Sequence, residues 1–215
     1  MVSSMKTITY LLDPLCGWCY GASPVLQQLG LEPGIRLELA PTGLFAGAGG
    51  RTLDAAFADY AWANDMRIQK LTGQQFTPEY RTQVLGKLGS RFDSATTTLA
   101  LTAVLRTAPQ RELEALKVLQ EARYVHALDT GAVTVVASLL HGLALDAAAD
   151  MLTAGDAELL AANAQRMRQA REMKEAFGAQ GVPALIVTDD QGSRLLRGNA
   201  LYGRLDSLLA DIAAA

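Results

Sequence analysis

The run Thr7-Ile8-Thr9-Tyr10-Leu11-Leu12-Asp13-Pro14-Leu15-Cys16-Gly17-Trp18-Cys19-Tyr20-Gly21 holds a strand, a stop and a pair of cysteines. Ile8, Tyr10 and Leu12 alternate with Thr7, Thr9 and Leu11, which reads as a short strand with an apolar centre, ended by Asp13-Pro14. A helix follows, because apolar residues from Val25 to Leu29 keep a helical spacing. Pro24 suits a first turn but sits in the interior if that helix begins as early as Trp18. Cys16 and Cys19 are the only cysteines of the chain, and two cysteines scattered at random would fall three apart in about one chain in a hundred. At a strand-to-helix junction the first of them meets the unpaired N–H groups and the positive end of the helix dipole, which favour its thiolate. The thiolate is the form that attacks a disulfide, and a second cysteine one turn later can reach back to release the mixed disulfide. The expected roles are Cys16 as attacker, the more exposed of the two, and Cys19 as buried resolver.

Working outward, Pro33-Gly34 punctuates, and Ile35, Leu37 and Leu39 alternate with Arg36, Glu38 and Ala40 as a second strand, so the opening is β-α-β. Thr42 to Gly50 is glycine-rich and reads as a loop leaving the sheet. From Thr52 to Phe177 the pattern is helical, with helices expected over 54–70, 78–89, 94–107, 109–127, 133–143 and 156–177. Asp93 and Ser94 are candidate caps of the third helix, and Gly131, Gly155 and Gly178 fall at breaks. After Gly181-Val182-Pro183 come the apolar run Ala184 to Thr188, a turn at Asp189 to Gly192, and Arg194-Leu195-Leu196-Arg197, a hairpin signal. A short helix from Tyr202 to Ile212 closes the pattern as β-β-α.

The chain has 215 residues, 50% of them hydrophobic and 19% charged, which is the composition of a globular protein and not of a disordered one. Its formal charge is −3 and no basic cluster is present to neutralise a run of phosphates, so nucleic acid is not an expected partner. The N-terminal residues show no basic region followed by an apolar stretch, and the longest uncharged stretch, Thr130 to Leu145, falls short of the roughly 20 apolar residues a bilayer needs. The expectation is a cytoplasmic protein with no membrane span. A zinc or iron–sulfur site wants four ligands, and the only histidines, His126 and His141, lie more than a hundred residues from the cysteines, so no metal is expected. His126 continues the face of Leu116, Leu119 and Ala122 and reads as a helix-end or half-buried structural residue.

Asp13-Pro14-Leu15-Cys16-Gly17-Trp18-Cys19-Tyr20-Gly21, with Gly181-Val182-Pro183 before a hairpin and a terminal helix, resembles the DsbA-like family of thioredoxin-fold thiol–disulfide oxidoreductases. Phe92-Asp93-Ser94 and the run from Leu119 to Asp129 resemble its cytoplasmic, FrnE-like branch, and the resemblance extends over nearly the whole chain. It implies an α/β protein: a thioredoxin fold with a mixed central sheet, β-α-β then β-β-α, interrupted by a large all-helical insertion. Residues 1–50 and 156–215 would form the thioredoxin-like domain and 51–155 the insertion, capping the cysteine edge of the sheet, with Trp62, Phe76 or Tyr124 as candidate lining of a groove. The resemblance also implies that Pro183 is cis beside the sulfurs and that the Val182 main chain pairs with an extended substrate, a small case of β-augmentation. Trp18 would add apolar surface for substrate, while Asp13, Pro14 and Gly17 support the motif. Two departures stand out: His126-Ala127 occupies a place where such proteins often carry Glu-Gly, and Gly17-Trp18 replaces the Pro-His of the secreted oxidant.

The expected activity is reduction or isomerisation of protein or small-thiol disulfides through the Cys16/Cys19 dithiol, with no bound cofactor and glutathione as a candidate reductant. Two other readings stay open. Glutathione-dependent kappa-type transferases and 2-hydroxychromene-2-carboxylate isomerases share the helical insertion, but typically carry serine at the place of Cys16 and lack the second cysteine. A redox-regulated chaperone whose alanine-rich helices hold a client is the third. Substrate, redox direction and oligomeric state are not legible in the sequence.

Overall fold

A computed structural model of the chain describes residues 5–196 and 198–214. Strand β1 (Lys6–Leu12) pairs in parallel with β2 (Ile35–Pro41), to which helix α1 (Gly17–Leu29) connects it. On its other edge β1 pairs antiparallel with β5 (Ala184–Asp189), which turns back into β6 (Gly192–Leu195), so the sheet order is β2-β1-β5-β6. Arg197, expected at the end of the second hairpin strand, lies outside the described residues, as do residues 1–4.

The strand alternation sorts the two faces of this sheet. Ile8, Tyr10 and Leu12, with their neighbours Leu185 and Val187, share a core with Ala22, Leu26 and Leu29 of α1 and with Leu208 and Ile212 of α8 (Leu205–Ala213). Leu11, Ala184 and Ile186 face the other way, onto Ala170 and Met173 of α7 (Ala157–Ala176). Both faces of β1 are thus covered, which explains its near-continuous apolar centre.

Between β2 and α7 the chain forms α2 (Ala55–Thr72), a π-helical segment (Tyr80–Leu85), α3 (Ala95–Thr107), α4 (Glu112–Tyr124), α5 (Val133–Gly142) and α6 (Asp146–Ala154). A two-residue ribbon, β3 (Arg51–Thr52) with β4 (Arg91–Phe92), ties the start of this block to the turn before α3. Three sequence expectations are corrected here. The helix expected over 78–89 is only the π-helical segment, ended at Gly86 and Gly89, the latter at φ +83°. The helix expected over 109–127 begins with a 3₁₀ turn at Pro109–Arg111 and ends at Tyr124, leaving His126 exposed beyond it. Helix α6 was not foreseen, being nine residues long, with a buried side of Ala148, Ala149 and Leu152 that is too short to establish a helical period.

Asp93 and Ser94 divide their work at the start of α3. Asp93 Oδ1 accepts from the Ala95 N–H at 2.9 Å, whereas the Ser94 hydroxyl donates to Asp13 Oδ2 at 2.8 Å, across the junction with the sheet. A second tie is Arg166 of α7, which donates to Glu112 Oε1 of α4 at 2.5 Å and to the Leu39 carbonyl of β2 at 2.8 Å. Glu112 is buried, and desolvation outweighs its cationic partner, so its carboxyl is pushed up to about 7.

Candidate active site

Helix α1 begins at Gly17, with Cys16 as its N-cap residue in extended conformation and Cys19 one turn inside. Asp13 shapes the approach. Its Oδ1 accepts from the Leu15 N–H and its Oδ2 from the Phe45 N–H and the Ser94 hydroxyl, so one buried side chain holds the end of β1, the glycine-rich loop and α3. Desolvation pushes its carboxyl up, and those three hydrogen bonds pull the other way. Pro14 follows in the turn that delivers Leu15, whose carbonyl accepts from the Tyr124 hydroxyl at 2.8 Å.

Pro24 lies inside α1 and has no N–H for the carbonyl of Tyr20 one turn earlier. The side-chain amide of Gln74, in the loop after α2, donates to that carbonyl at 3.1 Å, so the helical block repairs the break in the helix that carries the cysteines.

Both cysteines are free thiols. Cys16 is 8% exposed and Cys19 1%, so the order of exposure follows the expectation, yet even Cys16 is largely covered. The Val182-Pro183 peptide is cis, and it turns the Val182 carbonyl to the Cys16 thiol, which donates to it across 3.7 Å. Cys19 faces the interior. The Tyr10 hydroxyl donates to its carbonyl at 3.2 Å, and burial together with the neighbouring Cys16 pushes the Cys19 thiol well above its ordinary value. Cys19 therefore rests protonated behind Cys16.

Above Cys16 runs a cleft of about 150 Å³, floored by Leu15, Cys16, Gly17 and Trp18 and roofed by α2. The roof residues Phe57, Tyr60, Asn64, Asp65 and Ile68 recur at helical spacing, and Tyr80, Phe92 and Tyr124 form the end wall. Of the three aromatics expected to line a groove, Tyr124 does so. Trp62 and Phe76 do not: Trp62 is rotated off the stripe that faces α1, and Phe76 is enclosed between Tyr20 and Tyr124. Trp18 is half-buried and packs edge-on against Tyr202 at 5.2 Å, separating this cleft from a second depression along Gly178 to Ala184.

The roof lies close. A Cβ added at Gly17 would sit 2.5 Å from Asp65 Oδ1, and one added at Gly21 would sit 2.6 Å from Ile68 Cγ2. Glycine at both positions lets α2 approach the cysteine helix, so the first residue of the Gly-Trp pair is set by packing of the cap. Sequence reasoning missed Asp65. Its signal was an aspartate on the stripe Ala58, Ala61, Asp65, Ile68, Thr72, opposite a Gly-x-x-x-Gly on α1. Asp65 is buried, its Oδ2 accepts from the Tyr80 hydroxyl at 3.1 Å, and desolvation pushes its carboxyl up to about 7.

No family model matches the sequence, and no curated protein matches it. Among solved structures the chain is similar to the cytosolic disulfide reductase DsbM from Pseudomonas aeruginosa, at 28% identity and TM-score 0.85, covering 97% of this chain and 100% of that one. The chain is a DsbA-like oxidoreductase of the thioredoxin fold. The same DsbM solved with glutathione matches at TM-score 0.82 and 28% identity, covering 97% of this chain and 98% of that one. A structure from Nitrosomonas europaea, assigned as a candidate protein disulfide isomerase, shares the fold at 20% identity and TM-score 0.81, over 98% and 97% of the two chains. In this DsbA-like chain the thioredoxin elements supply the thiols and the cis-proline turn, and the helical block supplies the roof. Among the described residues no cluster of histidine, cysteine and acidic side chains could hold a metal, and no helix is long and apolar enough to cross a membrane.

Proposed function

We propose that this oxidoreductase works as a cytoplasmic reductase of small-thiol and protein disulfides, with Cys16 attacking, Cys19 resolving and glutathione restoring the dithiol. The observation that carries this reading is the arrangement around Cys16: a free thiol at a helix N-cap, on the floor of an aromatic cleft, bonded to the Val182 carbonyl, with a protonated thiol one turn behind. The match to a cytosolic disulfide reductase, solved also with glutathione, supports the compartment and the small thiol.

The chemistry balances over the pair. Cys16 thiolate attacks RS–SR′, forming Cys16–S–S–R and releasing R′S⁻, which takes a proton. Cys19 then attacks the Cys16 sulfur, its proton leaves with RSH, and a Cys16–Cys19 disulfide remains. Two glutathiones reduce that disulfide and depart as glutathione disulfide. No imidazolium stands beside the pair, since Gly17 and Trp18 occupy the intervening positions, and this lack of extra thiolate stabilisation suits a reductant better than a strong oxidant. Isomerase work uses the same first step and differs in the release that follows. Val182 and Trp18 flank Cys16 where the peptide of a mixed disulfide would lie. The cleft carries Asp65 as its one carboxylate and no basic side chain, so substrate is held by apolar contact and main-chain pairing.

Glutathione-coupled reduction of insulin and of glutathione disulfide tests the proposal. Cys16→Ser is expected to abolish both, and Cys19→Ser to accumulate a mixed disulfide at Cys16 visible by mass spectrometry. Full activity in Cys16→Ser overturns it.

A further inference from the structure

Within the family the reacting pair supplies the nucleophile, yet each cycle also moves protons between sulfurs at a thiol that is only 8% exposed. Two buried carboxyls stand near Cys16. Asp13 is committed, because its oxygens accept three hydrogen bonds from Leu15, Phe45 and Ser94. Asp65 differs. Oδ2 accepts from the Tyr80 hydroxyl, while Oδ1 accepts no hydrogen bond among the described residues and lies against Gly17, the residue next to Cys16, inside the cleft that Cys16 floors. Behind Cys19 the polar group is the Tyr10 hydroxyl, which desolvation holds well above its ordinary value and so keeps protonated.

We propose that Asp65, carried by α2 into the roof of the cleft, gives a proton to the substrate sulfur displaced by Cys16 and takes one from the thiol that later reduces the enzyme. The proposal rests on the reductase reading above. In the first step Cys16 thiolate forms Cys16–S–S–R, and the electron pair of the broken bond leaves on R′S⁻. The Asp65 carboxylic acid protonates that sulfur, so R′SH departs and a carboxylate remains. Cys19 completes the second exchange, and RSH leaves with the Cys19 proton. A glutathione-type thiol entering the cleft then gives its proton to the Asp65 carboxylate and attacks Cys16 as thiolate, breaking the Cys16–Cys19 bond. A second such thiol releases the glutathione-type disulfide, its proton passing to Cys19. The Asp65 acid, the Cys19 thiol and the Cys16 thiolate are thereby restored, and the two electrons have come from two thiols.

Four titratable or charged groups face Asp65 from the elements around it: Cys16 at the start of α1, Tyr80 of the π-helical segment, and Arg123 and Tyr124 of α4. Tyr80 and Arg123 pull the Asp65 carboxyl down, and burial overcomes both. A carboxyl that titrates close to 7 can both give and accept a proton at neutral pH, which is the matching that efficient general acid–base catalysis requires. Ordinary aspartates are ionised there and have no proton to give.

The test compares two disulfides that present the same glutathionyl group and different leaving sulfurs: glutathione disulfide, and the mixed disulfide of glutathione with 5-thio-2-nitrobenzoate. An aryl thiolate departs without a proton, whereas an alkyl thiolate gains from one. For Asp65→Asn the second-order rate constant is expected to fall about 100-fold with glutathione disulfide, within the usual range for a general acid, and by no more than about threefold with the aryl substrate. Tyr80→Phe keeps the carboxyl and removes a hydrogen bond to its ionised form, so the alkaline limb of the pH–rate profile should move to higher pH. Equal losses on both substrates in a folded Asp65→Asn, or an unmoved limb in Tyr80→Phe, overturn the proposal. Activity of Cys16→Ser on the aryl substrate would overturn the reductase reading instead, so the two failures are distinguishable.

Discussion

Replacing Gly21 by alanine should destabilise this protein, although glycine-to-alanine in a helix interior ordinarily stabilises by about 1 kcal/mol. The reason is the roof helix. The new Cβ would lie 2.6 Å from Ile68 Cγ2 and 3.4 Å from Thr72 Cγ2, against about 3.5–4.0 Å for relaxed carbon contact. Ile68 is fully buried and β-branched, so one rotamer dominates in its helix and the methyl cannot swing aside. Relief then requires α2 to back away by about 1 Å, an overpacking that costs about 1–3 kcal/mol. Set against the propensity gain, the net loss is about 1 kcal/mol, which for a chain of this length lowers Tm by about 2–4 °C. Truncating the opposing side chain should reverse the sign. In an Ile68→Ala background the clash is gone, so Gly21→Ala should stabilise by up to about 1 kcal/mol, and the double-mutant cycle should report a coupling of about 2 kcal/mol. Urea titration of the four proteins measures all terms. A raised stability of Gly21→Ala in the parent chain, or strict additivity, would refute the close approach of α1 and α2 and with it the placement of Asp65 over Cys16.

Three further outcomes are expected. Ala127 has φ +54° in a wrapped turn where the Leu128 N–H donates to the Ala122 carbonyl, so Ala127→Gly should raise stability by about 1 kcal/mol in chemical denaturation. Because the Asp65 carboxyl titrates near 7 when folded, well above the ordinary aspartate value of about 3.9, its protonated form favours the folded state. That contribution is complete below about pH 4 and is lost as pH rises through 7, a swing of about 4 kcal/mol. The stability difference between the parent chain and Asp65→Asn should change over that window, and a flat difference would contradict the burial of the group. Arg166→Met leaves Glu112 unpaired at the junction of α4, α7 and β2 and should cost about 3–5 kcal/mol, with most of it recovered in Arg166→Met/Glu112→Leu, as read by thermal unfolding.

The Cys16/Cys19 pair, the β-α-β opening and the terminal hairpin with its helix are local features. Spacing along fifteen or twenty residues encodes each of them, and so the thioredoxin elements and the placing of the two cysteines at a helix start were legible in the sequence, as was the cis Pro183 turn beside them. Local spacing also placed a helical block in the middle of the chain, though it overran where a π-helical segment and a 3₁₀ turn changed the period at Tyr80 and Pro109. The partners of each buried stripe were decided only in three dimensions. Periodicity states that Ala58, Asp65 and Ile68 share one side of α2; it does not state that Gly17 and Gly21 lie opposite, or that Gln74 meets the carbonyl freed by Pro24, or that Asp13 holds Ser94 from 81 residues away. Such contacts depend on how helices dock, which is set by the summed fit of many side chains distant in sequence, and so the group set over the reacting sulfur was visible only in the folded chain.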